Sequence, residues 1–121
     1  MGKKVLIADD SAMMRKIIMR DLKAAGMVAE VVEASDGEEA LALFQAGGFH
    51  LVLTDWNMPA MDGLTLVKRI RASDKAVGIV MITTNGSPEK AKEAALAGAN
   101  NLLAKPFSPQ ALKDKLSKFL A

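Results

Sequence analysis

A parallel α/β sheet with helices on both faces is predicted by three observations. Five short apolar runs are present, five helical patterns lie between and after them, and the two kinds alternate strictly with short connections. Parallel neighbours need a crossover about the length of a helix, and this chain supplies one after each run.

The first run is Val5–Ala8. A helix from about Ser11 to Ala25 follows, with Met14, Ile18, Leu22 and Ala25 on one face and Arg15, Lys16, Arg20 and Lys23 largely on the other. Gly26 suits its end. The second run, Val28–Ala34, leads to a helix over roughly Glu38–Ala46 that stops at Gly47-Gly48. The third run, Leu51–Thr54, leads to a helix over about Leu64–Ala72 carrying Leu64, Val67, Ile70 and Arg71. The fourth run is Gly78–Thr83 and the fifth Leu102–Ala104. Ser87-Pro88 and Ser108-Pro109 open the last two helices, each with Ser as N-cap and Pro in the first turn. The fifth helix turns Leu112, Leu116 and Phe119 inward. The fourth offers Ala91, Ala94 and Ala95, with Leu96 its only large apolar residue, so it is expected to be the least firmly held and to move on activation. Runs one, three and four are almost wholly apolar and belong at the centre. Run two carries Glu30 and Glu33, and run five is very short, so both belong at the edges.

The 121 residues fit one domain, 1–121, with no room for an output domain of ordinary size. With no Cys, disulfides, thiolate zinc sites and cysteine catalysis are excluded. A net charge of +2 gives no argument for nucleic acid, although residues 1–60 carry 6 basic and 9 acidic side chains and 61–121 carry 10 and 5. No run approaches a membrane span or a signal-peptide core, and Leu6 breaks the myristoylation pattern. A cytoplasmic protein is expected.

Ligands of open parallel sheets bind beyond the carboxyl ends of the strands. There the runs end in Asp9-Asp10, Asp55, Thr83-Thr84 and Lys105-Pro106. Each acid alone reads as surface charge; their joint placement is the signal. Two carboxylates about 5 Å apart repel by roughly 3 kcal/mol at an effective dielectric near 20, so three pairs cost on the order of 10 kcal/mol. Lys105 offsets one charge of three. A hard divalent cation balances the rest, and Mg²⁺ suits a few carboxylates plus waters and a phosphate better than Ca²⁺ does.

These residues resemble the receiver domain of two-component response regulators, most closely the single-domain chemotaxis regulators. The resemblance spans the chain and rests on Asp9-Asp10, on Asp55-Trp-Asn-Met-Pro-Ala-Met-Asp-Gly63, on Thr83, and on Lys105-Pro106-Phe107. It implies a flavodoxin-like (βα)5 fold with strand order 2-1-3-4-5. It also implies that Asp55 takes a phosphoryl group from a phosphohistidine of a sensor histidine kinase. Asp10, Asp55 and the Asn57 backbone carbonyl would bind Mg²⁺, with Mn²⁺ as a substitute, and Asp9 would act through water. Lys105 and Thr83 would meet phosphoryl oxygens, and the bond before Pro106 would be cis. Asn57 and Asn85, with Thr84 nearby, would tune the phosphoryl lifetime. Output would pass through the fourth helix, fifth strand and fifth helix to a downstream protein, the flagellar motor switch being a candidate, with a phosphatase as a further partner. A monomer is expected, with dimerisation on phosphorylation left open. The pattern departs at Leu102, which stands where the chemotaxis proteins carry a switching aromatic ring; the Thr83 half of that switch remains.

The other readings concern single residues and two other classes. His50, at the opposite rim, reads as a surface residue, and Trp56 as a half-exposed aromatic beside the metal. Gly63 reads as a turn or close-packing residue of low functional content, and the eight Met as mostly core. Lys113, Lys115 and Lys118 form either a solvated face or part of a partner surface. A haloacid-dehalogenase-type phosphatase would need an Asp where Asn57 stands, because an amide cannot shuttle a proton. A flavodoxin-like flavin module would find Asp9-Asp10-Ser11 repelling its phosphate.

Overall fold

The computed structural model describes residues 3–27 and 29–120. In chain order the elements are β1 (Lys3–Ala8), α1 (Ala12–Ala24), β2 (Ala29–Ala34), α2 (Gly37–Gln45), β3 (Leu51–Asp55), α3 (Gly63–Ser73), β4 (Gly78–Thr83), α4 (Pro88–Ala97), β5 (Asn101–Ala104) and α5 (Pro109–Leu120). Val28, placed by the sequence at the start of the second strand, lies outside the described residues. The strands form one parallel sheet in the order β2-β1-β3-β4-β5, with Val5 beside Leu51, Leu53 beside Val80 and Ile82 beside Leu103. The apolar runs one, three and four are the central strands, as their composition requires.

Alternation along the strands sorts the core into two layers. Val5, Ile7, Leu51, Leu53, Val80, Ile82 and Leu103 face Ile18 and Leu22 of α1 and Leu112 and Leu116 of α5. Leu6, Val52, Ile79 and Met81 face Ala40 and Phe44 of α2, Leu66, Val67 and Ile70 of α3, and Ala94 of α4. Side-chain caps fix the helix starts, two of them at Asp36 and Asp62, which the sequence reading did not mark. The side chains of Ser11, Asp36, Asp62 and Ser87 accept backbone N–H groups at their helix starts, and Gly98 closes α4 with φ of 117°.

Anchorage differs sharply between helices. The buried Ile18 and Leu22 hold α1 with about 1.5–3 kcal/mol each. On α4 only Ala94 is buried, a single methyl worth less than about 1 kcal/mol. The sequence reading of that helix needs correction: Ala91 and Ala95 are exposed, and Leu96 is 79% exposed rather than inward. Position decides this, because Leu96 lies two residues beyond Ala94, on the far side of the helix. The methionines mostly serve the core, as the sequence reading expects: Met81 is fully buried, and Met14, Met19, Met27, Met58 and Met61 pack partly buried against the two layers, while Met13 is 73% exposed on the solvent side of α1.

Candidate functional site

The carboxyl ends of β1 and β3 bring Asp9, Asp10 and Asp55 together: one carboxylate oxygen from each lies within 4.8 Å of the others. Asp9 is buried, and its two oxygens have separate partners. Oδ1 accepts the Ser11 N–H at 2.9 Å, and Oδ2 accepts from Lys105 Nζ at 3.1 Å. The same ammonium lies 3.4 Å from Asp55 Oδ1. Asp55 Oδ1 also accepts the Trp56 N–H at 2.8 Å. Asp10 stands exposed at the outer side of the cluster. Burial pushes the Asp55 carboxyl above its ordinary value; Lys105 opposes that rise and the nearby Asp9 charge adds to it. Three hard oxygen donors beside one shared ammonium are the donor chemistry that suits Mg²⁺.

Two glycines let the loop after β3 seat closely. A Cβ on Gly63 would lie 2.0 Å from the Asp55 carbonyl oxygen, and a Cβ on Gly37 would lie 2.1 Å from that of Met61. The Gly63 N–H donates to the Trp56 carbonyl at 2.8 Å. Gly63 is therefore packed directly against the backbone of the central acid, the close-packing role that the sequence reading allowed. Trp56 corrects an expectation. It is 7% exposed and belongs to the core layer of α2, α3 and α4. Alternation explains it: Val52 faces that layer, so positions 54 and 56 do as well.

Thr83, at the end of β4, is buried, and its Oγ1 accepts the Asn85 N–H at 3.1 Å. Asn57, Thr84 and Asn85 are exposed. The Lys105–Pro106 bond is cis. Leu102 lies away from the acids, lining a groove of about 350 Å³ with Ala91, Ala95 and Lys115. A larger concavity of about 700 Å³ between α2 and α3 holds none of the three clustered acids, and its placement gives no reason to seek the chemistry there. His50 is exposed at the opposite rim, where its Nδ1 accepts the Lys4 N–H at 3.0 Å.

Sequence reasoning did not single out Arg15 or Lys90. Arg15 donates to the Asp9 carbonyl and to Glu33 Oε1 at 2.8 Å, tying the β1 loop to β2. Lys90 Nζ lies 4.6 Å from the centroid of the Trp56 ring. The Arg15–Glu33 and Lys90–Trp56 contacts join residues far apart in sequence, so no local pattern announces them.

A parallel five-stranded sheet with paired acids, a lysine and a buried threonine at one rim defines a class, and residues 5–117 match the response regulator receiver domain. The chain belongs to that family. It is 47% identical over 120 residues to the chemotaxis protein CheY1 of Helicobacter pylori strain J99, covering 97% of this chain and 96% of that protein. It is 40% identical over 117 residues to the chemotaxis protein CheY of Pseudomonas aeruginosa, covering 95% and 94%. The solved structure of the chemotaxis response regulator CheY4 of Vibrio cholerae superposes with a TM-score of 0.89 at 41% identity, covering 99% of this chain and all of that one. The chain is thus a response regulator of CheY type rather than a member of an enzyme family, and among the described residues no helix is long and apolar enough to cross a membrane.

Proposed function

We propose that residues 1–121 act as one phosphorylation-controlled switch, in which Asp55 accepts a phosphoryl group from a phosphohistidine of a sensor histidine kinase. The observation that carries this reading is the convergence of Asp9, Asp10 and Asp55 within 4.8 Å, with Lys105 3.4 Å from Asp55. Asp9, Asp10, Asp55 and the Asn57 carbonyl would hold Mg²⁺, or Mn²⁺ in its place, with Asp9 acting through water. When bound, the ion supplies positive charge that neutralises the acids and the incoming phosphoryl oxygens.

This chain's residues supply the rest. An Asp55 carboxylate oxygen forms the new P–O bond while the donor P–N bond breaks, and the electron pair leaves on the imidazole nitrogen. Lys105, already shared between Asp9 and Asp55, neutralises a phosphoryl oxygen. The Thr83 oxygen accepts from Asn85, which leaves its own O–H to donate to another phosphoryl oxygen. Hydrolysis of the acyl phosphate, tuned by Asn57 and Asn85 or assisted by a phosphatase, resets the switch.

Output runs through α4, β5 and α5 to a downstream protein in the cytoplasm. The chemotaxis names of the relatives make a flagellar motor switch component the first candidate. The unmodified protein is a monomer, and dimerisation on phosphorylation is measured in the same samples. The test adds Mg²⁺ and acetyl phosphate and follows intact mass and Trp56 fluorescence. A single labile phosphoryl adduct and Mg²⁺-dependent quenching are expected, both adduct and phosphodonor response being lost in Asp55→Asn. An adduct that survives Asp55→Asn unchanged overturns the reading.

A further inference from the structure

The two ends of α4 are held by different means. At its C-terminal end Arg71 Nε donates to the Gly98 carbonyl at 2.8 Å, and another Arg71 nitrogen donates to Asn100 Oδ1 at 2.9 Å. The same Oδ1 accepts the Ile79 N–H at 2.8 Å, so this end is tied to both α3 and β4. A Cβ at Gly98 would lie 2.5 Å from Arg71 Cγ, which leaves little room for that end to shift. Between the ends, Ala94 is the one buried side chain of the helix.

The N-terminal end hangs on a sequence of weaker contacts. Thr83 Oγ1 accepts the Asn85 N–H at 3.1 Å, and Asn85 Oδ1 accepts the Ser87 N–H at 3.2 Å. Ser87 Oγ accepts the Lys90 N–H at 3.3 Å. The Lys90 ammonium then sits 4.6 Å from the Trp56 ring centroid, and the Trp56 N–H donates to Asp55 Oδ1 at 2.8 Å. The contacts therefore run from Thr83 through the first turn of α4 to Asp55. Lys90 is where they cross from α4 to the strand that bears the acid.

We infer that Lys90 is a positioning residue that latches the first turn of α4 onto Trp56 while Asp55 is unmodified, and that modification of Asp55 releases it. The inference rests on the reading of Asp55 as phosphoacceptor. Phosphorylation acts on both ends of the contact chain. Converting the carboxylate to an acyl phosphate weakens the acceptor of the Trp56 N–H, and a turn of the Thr83 side chain that carries its O–H to the phosphoryl group moves Oγ1 away from the Asn85 N–H. The ammonium has a second partner ready, since Glu93 Oε1 lies 3.6 Å away on the same helix. Leaving the ring therefore does not strand a bare charge. The latch also gives α4 a link to the acid that needs no aromatic ring at position 102, where this chain has Leu.

Hydrogen exchange read by mass spectrometry on the full chain tests this. Without any phosphodonor, Lys90→Met keeps the aliphatic stem and removes the charge; exchange over Pro88–Ala97 should rise about fivefold while that over Ala12–Ala24 stays unchanged. Lys90→Arg should restore protection, because guanidinium also binds an aromatic face. With Mg²⁺ and beryllofluoride as the phosphoryl mimic, the wild type should gain exchange over the same helix and Lys90→Met should gain little more. Wild-type protection of α4 in Lys90→Met overturns the latch, as does an equal rise in every helix or an undiminished beryllofluoride response in that variant. A wild type in which beryllofluoride changes neither Trp56 fluorescence nor exchange overturns the phosphoacceptor reading instead, and the comparison without phosphodonor still decides whether the latch exists.

Discussion

The two rims of the sheet use polar residues in opposite ways. At the amino ends of the strands, side chains cap backbone groups: His50 accepts from Lys4, Asn100 accepts from Ile79 and Arg71, and Asp74 accepts from Ala76 and Val77. The two backbone N–H groups on Asp74 hold its carboxyl below its ordinary value, so this acid favours its charged form. At the carboxyl ends three acids crowd together, and burial pushes Asp55 the other way. One rim is arranged for stability and the other tolerates like charges side by side, which is the arrangement expected where a ligand completes the site.

Three measurements sharpen this contrast. The largest effect belongs to Gly63→Ala, whose new Cβ meets the Asp55 carbonyl at 2.0 Å against backbone that cannot yield cheaply. Urea unfolding should show a loss of about 3 kcal/mol or more, and a loss near zero would mean that the loop is not seated as described. Next comes Arg71→Ala at the amino rim, which strips donors from Gly98 and Asn100; a loss of about 2 kcal/mol is expected in the same assay.

The smallest effect has the opposite sign. Asp55→Asn removes one of the crowded charges and leaves Lys105 with Asp9, so it should stabilise the metal-free protein by on the order of 1 kcal/mol at neutral pH. Because the folded Asp55 binds its proton more tightly than the unfolded chain does, its contribution to stability is present in acid and lost as pH rises through the raised value. The advantage of Asp55→Asn should therefore shrink as unfolding is repeated from pH 7 toward pH 4. An advantage that grows in acid would contradict the charge argument.

The fold was legible because each βα unit carries its own punctuation. Apolar composition separated the central strands from the edges, and Ser87-Pro88 and Ser108-Pro109 marked the starts of α4 and α5. The acid cluster was legible because the topology places every strand's last residue at one rim. What stayed hidden depends on packing across the sheet. The inward face of α4 was read from composition alone, and only the docked helix shows that Ala94 is its single buried residue. The burial of Trp56 follows from counting alternation one residue past the end of β3, a step that a half-exposed reading of the ring did not take. The contacts of Arg15 with Glu33, of Arg71 with Gly98 and Asn100, and of Lys90 with Trp56 span 18 to 34 residues and have no local signature.

The strand order also fixes when each part of the sheet can form. β1 pairs with β2 on one side and β3 on the other, so the three strands within the first 55 residues can assemble before the rest of the chain leaves the ribosome. β4 and β5 are then added outward, one at a time, onto a surface that already exists. The helix with the thinnest anchor lies between those two late strands, so a segment added late in synthesis is the one that the finished sheet grips least, and only the well-seated α5 that follows it closes the molecule.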